Sequence, residues 1–309
     1  MFGGLNSLYM NNTYNIFGLY IQSIIPFPAS PICSLPSEFV PDIIIEYGDT
    51  PGQLANPQKK GLRFQAAPRE FLLCVDSVAR YYVQEGRRIT IQPEPGMDEE
   101  SIRIFLMGSV MGALLHQRNI LVLHAGAIAV NGQSVIFSGH SGIGKSTLTA
   151  GFHQRGYAFL ADDVCAIAII AGKPAVIPGF PSLKLWADVL KKLNIDKDQL
   201  ESVRWIQGLE KYFLLAKPGH DQPVPLKSMF TMGSSNKNNI EIAALYGADK
   251  IDPFINNTYR MSFLDGLGGK KNHFRQCAVV AAQTSVYRIV RPNKGFLLNE
   301  LMDMLEERF

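Results

Sequence analysis

The sequence predicts an α/β protein in two parts, an amino-terminal, mainly antiparallel β region and an α/β domain that follows it. In the first hundred residues, short apolar segments alternate with turns rich in proline and glycine, which is typical of antiparallel strands. Near the middle, a glycine-rich stretch separates a strand pattern from a helical pattern, and two acidic residues end the next apolar segment. We place the boundary after residue 118, which gives regions 1–118 and 119–309.

The totals of the sequence argue against several classes of protein. With 309 residues, 47% of them hydrophobic, the chain is able to bury a core of its own. The formal charge is only +3, so we expect no nucleic-acid partner. The four scattered cysteines include no CxxC pair, which argues against a zinc site. Because no apolar run approaches roughly 20 residues and the first residues lack a signal-peptide pattern, we expect a cytoplasmic protein with no membrane contact.

The amino-terminal region is predicted to consist of strands and one helix. The predicted strands are YNIFGLYIQSI, DIIIEYG, REFLLCVDSVARYYVQEG and RRITIQP. The mostly apolar segment SIRIFLMGSVMGALLHQR predicts a helix, which we expect to pack between the two regions.

The second region begins with a predicted βαβ unit. Strands NILVLHAGAIAV and QSVIFSG are joined by a hairpin at Asn131-Gly132, and KSTLTAGFHQRG is a helix that ends at Gly156. The segment YAFLADDVCAIAII is predicted to be a strand interrupted by two acids, parallel to its neighbour.

The carboxyl third is predicted to contain more helix. Helices are expected at LKLWADVLKKLNI, KDQLESVRWI, DKIDPFINNTYRMSFL and GFLLNELMDMLEERF, and strands at VPLKSMFTMG and NIEIAALYG. The segment CAVVAAQTSVYRIVRP is predicted to be a helix followed by a strand, and Gly266 to Lys271 a flexible basic loop.

The glycine-rich stretch fits a phosphate-binding loop in full. Its residues are Gly139, His140, Ser141, Gly142, Ile143, Gly144, Lys145 and Ser146, which match G-x-x-x-x-G-K-[ST] between a strand and a helix. Glycines let several backbone N–H groups point at a phosphate chain, helped by the amino end of the helix, where Thr147 follows. We expect Lys145 to contact the terminal phosphates of ATP and the Ser146 hydroxyl to bind Mg²⁺.

Two further features belong to the same predicted site. Asp162 and Asp163 follow the next strand, so their carboxylates are expected near the phosphates, one for the metal and one as a proton acceptor. Both are able to serve only if the strand ends there, because adjacent strand residues face opposite ways. His124 lies on the hairpin before the loop; a lone histidine among apolar residues is by itself more typical of a core.

The segment HAGAIAVNGQSVIFSGHSGIGKSTLTAGFHQRGYAFLADDV resembles the catalytic core of the HPr kinase/phosphorylase family, P-loop kinases related to phosphoenolpyruvate carboxykinase. The resemblance implies a P-loop kinase core of that type, with ATP and Mg²⁺ as cofactors. It also implies that Asp163 accepts the proton of a substrate serine, that Asp162 supports the metal and that His124 lies near the phosphates. The family's second signature is replaced here by GFPSLKLWADVL, which leaves reverse phosphorolysis open.

Segments outside the core are similar to the HPr-kinase-like proteins of lasso peptide gene clusters. They include FGLYIQSIIPFP, FLLCVDSVARYYVQEGRRITIQP, FPSLKLW and NTYR. The resemblance implies a ribosomally made precursor peptide as the partner, phosphorylated on its carboxyl-terminal serine. Relatives of the HPr enzymes are hexamers, so a homo-oligomer is also considered. The alternatives are a kinase for HPr or for a small hydroxylated metabolite, and a nucleotide-dependent module that binds a peptide without transfer.

Some residues outside the core are weaker candidates. Arg260, in NTYR, has the reach and charge to clamp a transferred phosphoryl group, although an arginine near a helix end is equally often solvated. Lys184 is predicted to face the same pocket, with Trp186 as a packing residue. A basic loop carrying Lys270, Lys271 and Arg275 is either a lid over the site or an exposed mobile loop.

Overall fold

The computed structural model describes residues 12–36, 38–202, 211–217 and 219–309, and it has a mixed α/β architecture with three sheets. The first sheet contains eight strands: β1 (Asn12–Ile16), β2 (Leu19–Ser23), β3 (Ile43–Tyr47), β4 (Lys59–Lys60), β5 (Phe64–Ala67), β6 (Glu70–Val75), β7 (Ala79–Gln84) and β8 (Arg88–Pro93). Their spatial order is β1-β2-β3-β8-β7-β6-β5-β4. The amino-terminal region is therefore a single twisted layer of strands.

The pairings in this sheet are mainly antiparallel, as predicted. The exceptions are β2 with β3 and β3 with β8, which are parallel. The segment predicted as one strand, YNIFGLYIQSI, is a hairpin instead, because Phe17 and Gly18 take positive φ values of 57° and 67° and reverse the chain. Positive φ at both central residues is the requirement of a tight hairpin turn.

A helical segment connects the first sheet to the rest of the chain. It comprises α1 (Glu99–Phe105), a π-helical turn (Leu106–Val110) and α2 (Met111–Gln117). The Asp98 side chain accepts a hydrogen bond from the Ser101 backbone N–H at 2.8 Å and so caps its amino end. The helix contributes to one hydrophobic core that also holds Phe71 of the first sheet and Phe263 of the carboxyl third. It packs between the two parts, as predicted.

The second sheet carries the phosphate loop. Its elements in chain order, with the helix that follows the loop, are β9 (Leu121–Leu123), β10 (Ala125–Val130), β11 (Gln133–Gly139), α3 (Lys145–Gln154), β12 (Ala158–Ala161), β13 (Cys165–Ile170) and β14 (Lys173–Ile177). It is completed by β18 (Val224–Ser235), β19 (Glu241–Leu245) and β20 (Ser285–Pro292). The order is β12-β10-β11-β18-β14-β13-β9, with β20 also beside β18 and β19 beside β20.

The strand pairing corrects one prediction and explains how the site forms. β12 is not the neighbour of β11; β10 lies between them and is antiparallel to both. β11 and β12 consequently run in the same direction, and their carboxyl ends reach the same edge of the sheet. Because β10 runs the opposite way, its amino end, preceded by His124, lies at that edge too.

A small third sheet lies beside this edge. It has the order β15-β17-β16 and is formed by β15 (Ser182–Trp186), β16 (Glu201–Ser202) and β17 (Lys211–Leu215), with α4 (Ala187–Lys192) and a 3₁₀ turn (Lys197–Gln199) in between. The predicted helix LKLWADVLKKLNI is therefore wrong over its first four residues, which pair with β17. The predicted helix KDQLESVRWI is reduced to the 3₁₀ turn at 197–199 and is wrong over 200–202, and 203–206 lie outside the described residues.

The carboxyl third is more broken than predicted. It contains a 3₁₀ turn (Gly247–Lys250), α5 (Asp252–Asn256), α6 (Met261–Leu267), α7 (Lys270–Gln283) and α8 (Leu298–Glu306). DKIDPFINNTYRMSFL is not one helix, because residues 257–260 interrupt it and Arg260 has a φ of 50°. The predicted basic loop is also wrong: Gly268, with φ 76°, ends α6, and α7 begins two residues later.

Two further findings concern the described residues as a whole. No helix among them is long and apolar enough to cross a bilayer. All four cysteines are free thiols, and those of Cys165 and Cys277 are buried.

Candidate functional site

The phosphate loop lies between the end of β11 and the start of α3. Gly139 has a φ of 138°, and a Cβ added there would lie 2.6 Å from the Met232 carbonyl oxygen, so the position requires glycine. Gly142 and Gly144 also have positive φ values, of 82° and 105°. These conformations, which other residues rarely adopt, curl the backbone ahead of the helix amino end.

Lys145 occupies the inside of this loop. Its side chain is buried, and Nζ donates hydrogen bonds to the carbonyl oxygens of Gly139 at 2.9 Å and His140 at 3.0 Å. Burial lowers the pKa of Lys145, while the carboxylates of Asp163 and Asp162 act in the opposite direction. The ammonium group thus lies at the centre of a glycine-lined cradle with two acids nearby.

The two acids project into one site because their strand ends in a turn. β12 ends at Ala161, the Val164 N–H donates to the Asp162 carbonyl oxygen at 2.8 Å, and Asp163 has a φ of 64°. Aspartate is among the few residues that tolerate this left-handed conformation. Because the strand ends at this turn, both carboxylates are able to project into the same site, as the sequence analysis required.

Asp162 faces the start of α3. Its Oδ1 accepts a hydrogen bond from the Ser146 hydroxyl at 2.8 Å, and its Oδ2 accepts one from the Lys184 backbone N–H at 3.1 Å. Burial raises the pKa of Asp162, and the neighbouring Asp163 carboxylate raises it further. A serine hydroxyl and a carboxylate in contact are both hard oxygen donors, which fits a Mg²⁺ ion completed by phosphate oxygens and water.

Asp163 lies among positive charges. Its Oδ2 is 3.6 Å from Lys184 Nζ, and its Oδ1 is 3.7 Å from His124 Nδ1. Burial acts to raise the pKa of Asp163, but nearby basic groups outweigh it and lower the pKa below the ordinary value. Those groups are Lys184, His124, Lys211 and Lys145. The carboxylate is therefore held ionised, as a proton acceptor must be.

His124 lies in the bend between β9 and β10, with its ring toward Asp163. Its backbone N–H donates to the Asn257 carbonyl oxygen at 2.7 Å. Burial lowers the pKa of His124 although the Asp163 carboxylate opposes this. Its Nδ1 is buried and faces the Asp163 carboxylate at 3.7 Å, so the ring is directed toward the acid and not into an apolar core.

Residues 256–260 form the opposite wall, and Tyr259 anchors them. The Tyr259 N–H donates to the Val122 carbonyl oxygen at 2.9 Å, and its own carbonyl oxygen accepts from His116 Nε2 at 2.8 Å. Its ring packs on two glycines of the connecting helix, since a Cβ at Gly112 would lie 2.7 Å from ring atoms and one at Gly108 3.3 Å from the hydroxyl. The wall is thus fixed from two sides.

A second buried histidine, His273, fixes Thr258, the residue before Tyr259. The Thr258 hydroxyl donates to the Phe254 carbonyl oxygen at 2.9 Å and lies 2.8 Å from His273 Nε2, which then acts as the donor. The next residue but one, Arg260, adopts a left-handed backbone conformation and extends an exposed side chain. The wall that carries Arg260 is therefore held by hydrogen bonds on both sides of it.

These walls enclose a cavity of about 600 Å³, called here the His124 cavity. It is lined by the first residues of the loop (139–141), by His124 and Asp163, and by residues 256–260. The structure thus brings together the loop, His124 and Asp163, which the sequence assigned to one site, and Arg260, which was a weaker candidate. Ser146 and Asp162 meet directly beside it.

Other predicted residues lie elsewhere. Lys270 begins α7 and pairs with Asp265 at 2.7 Å, and most of segment 266–275 is helical, so the loop predicted there is wrong. Trp186 is 42% exposed, so it is not the packing residue that was predicted. The centroid of its ring lies 4.5 Å from Nζ of Lys211. Lys211 was not predicted from the sequence, because it is brought to the site by the pairing of β15 with β17, which no short motif indicates.

No protein-family model matches this chain, and no curated protein matches it. Among solved structures, the chain is similar to one described as the Hpr(Ser) kinase/phosphatase from Coxiella burnetii. The identity is 13% and the TM-score is 0.31, over 60% of this chain and 94% of that chain.

Proposed function

We propose that this protein is an ATP-dependent kinase that transfers the terminal phosphoryl group to a serine hydroxyl, with a P-loop kinase core of the HPr kinase type in residues 119–309. The observation that carries the proposal is the position of Asp163. Its carboxylate is kept ionised by surrounding cations, and it faces a cavity whose other end is the phosphate loop. A proton acceptor and a phosphate cradle that share one cavity are the minimum that phosphoryl transfer to an alcohol requires.

In the proposed reaction, the serine oxygen attacks the terminal phosphorus of ATP while Asp163 takes the hydroxyl proton. The new bond joins the serine oxygen to phosphorus, the bond to the bridging oxygen breaks, and ADP leaves with that electron pair. Lys145 neutralises negative charge on the phosphates, and Arg260 clamps the transferred group from the opposite wall. A serine hydroxyl has a high pKa, so most of the rate gain comes from positioning and charge neutralisation.

Ser146 and Asp162 are the residues that would hold Mg²⁺. Bound there, the ion neutralises charge on the phosphate oxygens. The hydrogen bond from the Lys184 backbone N–H to Asp162 fixes the carboxylate that would bind the ion. Lys184 also places its ammonium group beside Asp163, so one residue orients both acids.

The acceptor that we propose is a peptide, the ribosomally made precursor of a lasso peptide, at its carboxyl-terminal serine. The support is the similarity of FPSLKLW and NTYR to segments of the HPr-kinase-like proteins of lasso peptide gene clusters. FPSLKLW includes β15, which lies next to the acid pair, and NTYR lies in the wall of the His124 cavity. HPr or a small hydroxylated metabolite would use the same chemistry, so the acceptor has to be determined by direct comparison.

The test is phosphate transfer from γ-labelled ATP and Mg²⁺ to three acceptors, assayed separately: a precursor peptide ending in serine, HPr, and free serine. The proposal expects label on the peptide and none on the same peptide ending in alanine. If only HPr or only free serine were labelled, that molecule, and not the peptide, would be the acceptor. Saturable ATP binding without transfer to any of them would favour a binding module and contradict the kinase.

A further inference from the structure

A second cavity adjoins the phosphate loop. We call it the Phe296 cavity; it measures about 280 Å³ and is lined by the second half of the loop (142–144), by Thr147 and by residues 291–293 and 295–298. The His124 cavity is lined by the first half of the loop (139–141), and Met232 lines both cavities. The two cavities thus adjoin successive parts of the loop, so a phosphate chain bound along it would extend from one toward the other.

The two cavities differ in chemistry, which fixes the direction of that chain. The His124 cavity holds the proton acceptor Asp163 and the cation Arg260, as a reacting phosphoryl group requires. The Phe296 cavity combines aliphatic residues, such as Ile143 and Leu148, with charged ones, such as Lys192, and it has an aromatic ring at 43% exposure. An accessible aromatic ring suits a flat heterocycle, since every nucleic-acid base has a face that stacks.

Hydrogen bonds tie the walls of the Phe296 cavity to the loop. The Arg291 guanidinium donates from Nε and Nη2 to the Ile143 carbonyl oxygen, at 3.3 and 3.0 Å, and from Nη1 to the Pro292 carbonyl oxygen at 2.9 Å. The Asn293 N–H donates to the Ser235 carbonyl oxygen at 2.9 Å. The Arg291 bonds join β20 to the loop, and the Asn293 bond joins the residues after β20 to β18, so the cavity keeps a fixed position relative to the loop.

The ring of Phe296 is held at the rim of the cavity. Gly295, with a φ of 90°, turns the chain ahead of it, and Lys192 Nζ lies 5.1 Å from the ring centroid. Lys192 in turn pairs with Asp188 at 3.2 Å. The Lys192 cation, which also lines the cavity, thus lies over one face of the ring, and the other face is left for a second planar group.

From this geometry we infer that the Phe296 cavity binds the base and ribose of the nucleoside triphosphate, with the base stacked on Phe296. The inference rests on the proposed function, because it assumes that the loop binds a nucleotide. It adds the site that distinguishes a nucleotide from a bare polyphosphate, and it assigns the two ends of the ligand to opposite ends of the loop.

Calorimetric titration with two ligands, ATP and inorganic tripolyphosphate, tests the inference. In Phe296→Ala we expect ATP to bind about tenfold more weakly, from the loss of one aromatic stack, while tripolyphosphate binds as in the wild type. Phe296→Tyr should retain ATP affinity. Phe274→Ala is the matched control, because Phe274 is also exposed, at 57%, but lies on α7. Truncation of a half-exposed ring should leave the fold intact, and thermal melts of each variant check this.

The outcomes separate the two claims. Unchanged ATP affinity in Phe296→Ala, or an equal loss for both ligands, would overturn the base site while leaving ATP binding by the loop intact. Absence of ATP binding by the wild type would instead overturn the proposed function. Photolabelling with 8-azido-ATP checks the direction: we expect the label on residues 291–298, and a label confined to 256–260 would reverse the assignment.

Discussion

The His116 imidazole makes the wall of the His124 cavity sensitive to acid. It is 4% exposed, and its Nε2 donates to the Tyr259 carbonyl oxygen, next to Arg260. Burial lowers the pKa of His116 from 6.5 to about 4, with a smaller contribution in the same direction from His273. The folded protein therefore keeps His116 neutral at a pH where the unfolded chain has protonated it.

The expected size of the effect follows from this difference in pKa. One pKa unit is worth about 1.4 kcal/mol, so the depressed pKa of His116 corresponds to roughly 3 kcal/mol of unfolding free energy in strong acid. Because the unfolded state binds more protons, stability falls as the pH drops below about 6.5 and stops falling, for this group, near pH 4. Between pH 7 and pH 5 the loss is about 2 kcal/mol.

Urea unfolding at pH 7 and pH 5, followed by circular dichroism, measures this loss. In His116→Gln the side-chain amide is still able to donate to the Tyr259 carbonyl oxygen but does not titrate. We expect this variant to lose about 2 kcal/mol less than the wild type between the two pH values. His220→Gln is the control, because His220 is exposed. Equal losses in all three proteins would refute the reasoning.

Three further substitutions test the site and its support. Gly112→Ala should lower the unfolding free energy by about 1–3 kcal/mol, measured in urea, because its Cβ would collide with the Tyr259 ring at 2.7 Å. Lys145→Ala should weaken ATP binding at least about tenfold in calorimetry, because the cradle loses its buried cation. Lys184→Ala should lower the rate of phosphate transfer about tenfold and leave ATP affinity unchanged, because the Lys184 ammonium group orients the Asp163 carboxylate and keeps it ionised.

Each of these substitutions has an internal control. Gly52→Ala adds a methyl group where nothing lies within 4 Å, so it should leave stability nearly unchanged. Lys237→Ala removes an exposed lysine that pairs only with Glu241 among the described residues, so ATP binding and transfer should stay as in the wild type. If the controls and the test variants behave alike, the assigned contacts are not responsible for the effects.

The local elements of the site were predictable because they depend on short-range chemistry. The loop at 139–146 needs glycine at positions of positive φ, and the structure has such values at Gly139, Gly142 and Gly144. The hairpin at Asn131-Gly132 also forms as predicted, with φ values of 50° and 74°. The two acids converge because the strand ends at Ala161, which was the condition derived from the alternation of strand residues.

The contacts between segments that are distant in sequence were harder to predict. The segment LKLW is predicted to be the start of a helix, but it is a strand because it pairs with β17, which is distant in sequence. NTYR was placed inside a helix, but hydrogen bonds from His116 and to Val122, both distant in sequence, hold it in an irregular wall. The place of β10 between β11 and β12 also depends on sheet closure, which local propensity does not encode.

The central claim is that Asp163 accepts a proton from an alcohol poised at the end of a bound triphosphate. Asp163→Asn tests it most directly, because asparagine tolerates the φ of 64° at this position and keeps the size of the side chain. With γ-labelled ATP, Mg²⁺ and a peptide ending in serine, we expect transfer to fall at least about a hundredfold while ATP affinity stays within about threefold of the wild type. Wild-type transfer by Asp163→Asn, at equal nucleotide saturation, would contradict the account.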